Sequence, residues 1–218
     1  MAEGAFQSKF ILRIKDRFEE IFVFAALLLL ISLFSIMADN FLSTSTLFSI
    51  LSQLPALTVI TIGMTLVLIG GGIDLSVGSV AALSGAILGF CASSLEIPLL
   101  FAGILAIIGA CLAGLVNGIL GSYLKLPVFI VTLGMLEASR GVAYLVSDSQ
   151  TVYIGPSVQV LALPISGLGL SISFLISISL VLLAHLVITR TTFGRYLIAI
   201  GTNEQAARIS GITPEPIL

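Results

Sequence analysis

The chain has 218 residues, 58% hydrophobic and 9% charged, and a formal net charge of −2. Soluble globular domains average about 45–50% apolar and about 25% charged residues, so the composition excludes a soluble domain and identifies an integral membrane protein. With so small a net charge, the information lies in where the charges fall along the chain.

Before the first apolar run, Phe6, Phe10, Ile14, Phe18 and Ile21 recur at near-helical spacing among Lys9, Arg13, Lys15 and Arg17. This reads as an amphipathic arm on the inner membrane face, or as a plain basic flank of the first span. A hydrocarbon core about 30 Å thick needs roughly 20 helical residues. Stretches of this kind are expected near Ile21 to Ala38, Leu54 to Ile73, Leu75 to Ser94, Pro98 to Leu120, Pro127 to Val146 and Leu168 to Ile188. Runs such as IFVFAALLLLISLF do not alternate apolar with polar residues, as strands of a lipid-exposed barrel would. The expected fold class is therefore all-α, a polytopic transmembrane helical bundle of about six spans. The first run begins after a long polar arm and has no A-x-A site before Asp39, so it is read as an anchor and not a signal peptide.

The charges give an independent test. With a cytoplasmic amino terminus, six spans place Lys9, Arg13, Lys15, Arg17, Lys125, Arg190, Arg195 and Arg208 on the inner side, and leave Arg140 within a span. The larger outer loops, around residues 39 to 53 and 147 to 167, hold Asp39 and Asp148 but no Lys or Arg. This is the positive-inside pattern.

Between the second and third spans lies GMTLVLIGGGIDLSVGSV, residues 63 to 80. Gly70, Gly71 and Gly72 permit backbone angles that other residues avoid. Asp74 is placed to cap the following helix, with its charge at the favourable end of the helix dipole. Two readings stay open: a tight inner turn, or a discontinuous membrane segment lining a pathway; direct contact of Asp74 with solute is disfavoured, because the span count places it near the inner face and not at the midplane.

Within the later spans, Gly85 and Gly89 in GAILG, and Gly114 and Gly118 in GLVNG, predict faces where helices approach closely. Asn117, beside the second pair, is expected to hydrogen-bond to a neighbouring helix. Cys91 and Cys111 lie in apolar helices, where buried packing is expected. Glu137 and Arg140, three residues apart, share a face and form either a structural pair or part of a translocation path. His185, the single histidine, has no cysteine or carboxylate cluster beside it and predicts no metal site.

After the sixth span, TRTTFGRYLIAIGTNEQAARISGI, residues 189 to 212, is too polar to continue a membrane helix. Thr202 and Gln205 have capping-box spacing, Asn203 to Ser210 suits a short amphipathic helix, and Gly211 terminates it. A capped helix on an inner loop offers a surface to another protein, or is an ordinary solvated loop helix. The chain contains no G-x-x-x-x-G-K-[ST], H-E-x-x-H, G-x-S-x-G or C-x-x-C motif, and no basic nucleic-acid surface. No catalytic chemistry is expected of it, so uphill transport would draw on a partner or an ion gradient.

Taken in order, GMTLVLIGGGIDLSVGSV, GLVNGILGSYLKLPVFIVTLGML and TTFGRYLIAIGTNEQAARISGI resemble the membrane permease subunit of bacterial ATP-binding-cassette importers of the ribose, xylose, galactose and autoinducer-2 type. The resemblance implies a multi-pass permease of the bacterial inner membrane that dimerises with a second permease copy. It further implies a periplasmic solute-binding protein that delivers a monosaccharide or related small polar solute, and a separate cytoplasmic ATPase subunit that hydrolyses ATP. No cofactor is then bound by the permease chain, membrane lipid surrounds it and no nucleic acid partner is expected. Gly71, Gly72, Asp74, Leu75, Ser76, Gly78 and Ser79 match the family's glycine and aspartate signature. Residues 189–212 correspond to its ATPase-docking loop, with Gly194, Asn203, Glu204, Ala206, Ala207 and Gly211 carrying that role. Family members continue into further spans beyond this loop, so residues 1–218 are expected to form one permease domain incomplete at its carboxyl end. Asn117, Glu137 and Arg140 receive no family role. Three other readings remain: an ion-coupled secondary transporter, which the scarcity of intramembrane titratable groups disfavours; a branched-chain amino acid importer permease; and a non-transporting scaffold left by truncation.

Overall fold

The computed structural model describes residues 21–165 and 169–218, so the arm read from Phe6 to Phe18 lies outside the described residues, as does Leu168, the expected start of the last span. The described residues divide into two compact units, the first ending at Ile50 and the second starting at Leu51.

In the first unit, helix α1 (Ile21–Met37) is apolar and exposes Phe22, Val23, Leu28 and Ile36 by more than half their surface. The chain then turns at Asn40, whose φ is 62°, and Phe41 stacks on Phe34 with ring centroids 5.7 Å apart. Helix α2 (Thr44–Ile69) starts here, well before the Leu54 expected from hydropathy. Its polar opening is satisfied locally: Thr46 N donates to Ser43 Oγ at 3.3 Å and Ser49 Oγ donates to Ser45 O at 2.9 Å. A serine cap and hydroxyls bonded back along the helix make this stretch compatible with a helix despite its polarity. Pro55 sits inside α2 without ending it.

In the second unit, α2 closes on the glycine run. Gly72 N donates to Val67 O and Gly71 N to Leu68 O, each at 3.0 Å, with Gly71 at φ +88°. These paired bonds form a Schellman cap that needs a residue in the left-handed region at its centre. The sequence then passes into α3 (Val77–Gly89), which packs against both α4 (Leu99–Gly118) and α5 (Val128–Val146). Their interior is made of small residues: Ala102, Ala106, Ala113, Ser79, Thr132 and Ser139 are all buried, with Leu83 and Val131 between them. Small side chains let helix backbones come together where lipid supplies no hydrophobic drive.

Helices α3 and α4 end in the same way. GFCASSLEIP closes one and GILGSYLKLP the other. Each finishes in a π-helical turn, Phe90–Ser94 and Ile119–Tyr123. The next bonds correspond one to one: Leu95 N to Phe90 O and Leu124 N to Ile119 O at 3.2 Å, then Ile97 N to Cys91 O at 3.0 Å and Leu126 N to Leu120 O at 3.1 Å. Glu96 and Lys125 hold the left-handed position, and Pro98 or Pro127 starts the next helix. Because α3 and α4 run in opposite directions, the repeat places a glutamate at one end of the bundle and a lysine at the other.

Beyond α5, residues expected as a loop include the short helix α6 (Pro156–Ala162). An isolated bridge joins Pro164 to Ser171, and Ser171 Oγ caps α7 (Ile172–Arg190) by accepting from Phe174 N at 3.2 Å. Two amphipathic helices follow, α8 (Thr192–Thr202) and α9 (Glu204–Ile209). Among the described residues, five helices are long and apolar enough to cross a membrane: α2, α3 with its π turn, α4 with its π turn, α5 and α7. With the shorter apolar α1, they make the all-α, roughly six-span bundle expected from the sequence.

The glycine pairs do not mark the closest approaches. A Cβ at Gly85, Gly114 or Gly118 would meet nothing within 4 Å, and Gly89 lies against Val152 of the loop after α5. A Cβ would collide outright at Gly109, Gly194 and Gly201, none of which belongs to a glycine pair one turn apart. Cys91 is buried as expected, whereas Cys111 is exposed, because it faces outward from α4.

Candidate functional site

The turn from Gly70 to Ser76 is held by residues from three helices. Asp74 Oδ1 accepts from Ser76 N at 2.7 Å and from Ser76 Oγ at 2.6 Å. The amide it satisfies belongs to the residue preceding α3, so Asp74 fastens an Asx-type turn; Ser76, the N-cap residue, makes no side-chain cap. Asn117 of α4 donates through Nδ2 to Ser76 Oγ at 3.0 Å. Since the Ser76 proton goes to the carboxylate, its oxygen must accept from Asn117, which fixes the amide's orientation. Asn117 Oδ1 is left buried without a hydrogen-bond partner. From α5, the buried Thr132 donates through Oγ1 to Ile73 O at 3.2 Å.

The fourth contact comes from α8. A Cβ on Gly71 would lie 3.6 Å from Gly201 Cα, and a Cβ on Gly201 would collide with Ile69 O. Leu197, one turn earlier and buried, points at Gly70. Helix α8 therefore rests on the end of α2 through two side-chain-free residues.

A corner sets the direction of α8. Thr191, in an extended conformation between α7 and α8, donates to Val187 O at 2.6 Å and accepts from Gly194 N at 3.2 Å. Any Cβ on Gly194 would run into the backbone of Ile188. At the next junction Asn203 accepts from Ala206 N at 2.9 Å and so caps α9. This displaces the expected cap by one residue: Thr202 Oγ1 instead donates back to Ile198 O at 2.7 Å. An amide oxygen placed outside the α8 ladder is free to cap, whereas the Thr202 hydroxyl is taken up by its own helix. Gly211 (φ +85°) ends α9, with Ile212 N donating to Ala207 O at 3.0 Å.

The docking residues expected from the sequence thus divide into two sets. Gly194 and Ala207 are buried and shape the segment, while Asn203, Glu204 and Ala206 are exposed. Sequence reasoning missed Ile209, which is 83% exposed at the end of α9, and Gly201. Ile209 carries a legible signal as an apolar residue on a polar helix; Gly201 carries none, because its neighbour is remote in sequence.

Arg208 is bound on two sides, to Glu204 at 2.8 Å and to Glu215 at 2.6 Å. Hydrogen bonds from Glu215 first and Glu204 second raise the guanidinium above its already high ordinary value, and the same bond from Arg208 holds the Glu215 carboxyl below the usual carboxylate range.

A cavity of ≈ 450 Å³ lies at this end of the bundle, lined among others by Asp74, Asn117, Gly114, Thr132, Phe193 and Glu204. The remaining signature residues Leu75, Gly78 and Ser79 line a different cavity, of ≈ 440 Å³, together with Arg140. Arg140 Nη1 lies 3.5 Å from Glu137 Oε1. Among the described residues, no three His, Cys, Asp or Glu side chains come together as a metal site.

A family profile described as branched-chain amino acid transport system / permease component matches residues 46–218. The inner membrane ABC transporter permease protein YjfF of Escherichia coli (strain K12) is 37% identical over 178 residues, covering 80% of this chain and 54% of that protein. The ribose import permease protein RbsC of Haemophilus influenzae is 34% identical over 89% of this chain and 61% of its own length. The autoinducer 2 import system permease protein LsrC of Photorhabdus luminescens is 34% identical over 91% and 60%. The chain thus spans about half to three fifths of the length of these curated relatives. No solved structure matches it.

Proposed function

The chain belongs to the permease-component family of branched-chain amino acid transport systems, and on that premise we propose that it is the membrane-spanning subunit of an ATP-driven importer for a monosaccharide or related small polar solute. ATP is hydrolysed on a separate cytoplasmic subunit, solute arrives from a periplasmic binding protein, and a second permease copy completes the pathway in the bacterial inner membrane. The chain itself is no enzyme and binds no cofactor.

The observation that carries this reading is the α8–α9 unit. Two short amphipathic helices, each with its own side-chain cap, stand on the Gly70–Asp74 turn and present Glu204, Ala206 and Ile209 outward. A rigid, capped projection seated on the bundle's turn suits a docking surface for a motor subunit. The orientation is argued from charge: Lys125, Arg190, Arg195 and Arg208 lie toward this end, while Glu96 and Asp148 lie toward the other, a distribution that supports a cytoplasmic Asp74 end. Monosaccharides are favoured over branched-chain amino acids because relatives matching most of this chain are named for ribose and fructose import.

The test is site-directed crosslinking of α9 to the ATPase. A cysteine at Ala206 should crosslink in membranes, and Ile209→Asp should reduce the yield at least several-fold while the permease stays in the membrane. Equal yields from the two forms would remove the docking assignment.

A further inference from the structure

The centre of α5 carries charge that the chain does not bury. Glu137 is the middle residue of Val128–Val146, and Arg140 follows one turn later. Their side chains are 65% and 55% exposed, and they share one hydrogen bond, at 3.5 Å. On insertion scales a charge at the centre of a lipid-facing helix costs about 2.5–3.5 kcal/mol. This face of α5 is therefore covered by water or protein and not by acyl chains.

What lies beside it is a groove. Arg140 and Tyr144 of α5 form one wall of the ≈ 440 Å³ cavity, and Gly78, Ser79, Ala82 and Ala86 of α3 form the other. Small residues recurring every fourth position keep the α3 wall open, while α5 lines the groove with Ala143, an aromatic ring and a guanidinium fork, and the Glu137 carboxylate, which does not itself line the cavity, is held 3.5 Å from that guanidinium. The volume falls within the range of about 300–1,000 Å³ of small-molecule sites.

We propose that this α3–α5 groove is a water-filled segment of the solute path, in which a neutral polyhydroxylated solute bridges Arg140 and Glu137. Vicinal hydroxyls each donate and accept, so one faces the guanidinium and its neighbour the carboxylate while the ion pair stays together. Tyr144 offers a flat apolar ring to the solute's C–H face. A zwitterionic amino acid fits less well, because its two charges would have to separate the pair. The inference rests on the importer reading and names the place and chemistry of its solute.

The groove is tested in native membranes holding the complete transporter, with Ala82→Cys and Ala143→Cys introduced one at a time and a water-soluble, charged thiol reagent as probe. Both cysteines should label, the outward-facing Cys111 should not, and D-ribose should slow labelling several-fold while L-leucine does not. Arg140→Gln should lower ribose uptake at least tenfold with the α9-to-ATPase crosslink unchanged. Absence of labelling at both positions would mean that another span or a second copy covers the groove, and would overturn the proposal. Protection by leucine and not by ribose would overturn the assignment to a polyol. Absence of the crosslink from the cysteine at Ala206 while Arg140 is intact, with labelling and protection unaffected, would count against the docking reading alone.

Discussion

Gly201 of α8 lies against the carbonyl of Ile69 so closely that no side chain fits between them. This contact joins α8 to the end of α2, and through the Gly70–Ser76 turn to Asn117 of α4 and Thr132 of α5. Gly201→Ala forces the two backbones apart, an overpacking that costs about 1–3 kcal/mol. On the importer reading proposed above, the expected result is a complex that still binds ATPase but transports less solute per ATP. Parallel assays of uptake and hydrolysis in proteoliposomes measure that ratio, and an unchanged ratio would leave the contact without a transmitting role.

Asn117 and Ser76 offer a cleaner energetic test. Their hydrogen bond crosses from α4 to the start of α3, and a neutral bond of this kind contributes about 0.5–1.5 kcal/mol net. Asn117→Ala, Ser76→Ala and the double variant, compared by thermal unfolding in detergent, should show a coupling of that size. Strictly additive losses would mean that the bond adds nothing to stability.

Two left-handed residues, Glu96 and Lys125, have φ of 53° and 54° in matching turns. A side chain in this region costs about 1–2 kcal/mol that glycine does not. Glu96→Gly should therefore raise the midpoint of thermal unfolding, even after allowance for the greater freedom of the unfolded chain. Lys125→Gly should gain less, since Lys125 also draws on the Glu215 charge.

Glu215 ties the segment after α9 to Arg208. Its pKa is lower when folded than the usual 4.5, so its contribution is complete above about 4.5 and disappears as pH falls through the lowered value. The Arg208 shift has the opposite sense, raised by the same bond, so its contribution is fully present across the acid and neutral range. Limited proteolysis of residues 204–218 should be insensitive to pH between about 5 and 8 and should quicken under stronger acid. High salt should quicken it as well, because Arg208 is exposed and Glu215 only partly covered. Glu215→Gln should abolish the acid dependence.

Much of the architecture was legible in the sequence because membrane insertion is a local demand. Twenty apolar residues span the core wherever they occur, so the spans and the terminating Gly211 could be read from one stretch at a time. The start of α2 could not, since hydropathy registers the Ser and Thr residues after Ser43 as loop while their hydroxyls bond within the helix. Neither did hydropathy separate α8 from α9: the division depends on whether Thr202 or Asn203 supplies the cap.

The sequence by itself determined a polytopic helical protein of the permease type, because apolar length, charge placement and three ordered motifs are properties of contiguous residues. Tertiary structure alone decided which glycines touch, and it chose Gly201 and Gly194 over the pairs at Gly85 and Gly114. It also divided the signature between two cavities, with Asp74 in one and Ser79 beside Arg140 in the other. The physical reason is that a missing side chain or a central charge acquires its meaning from the opposing surface, and that surface is built by residues far away in the chain.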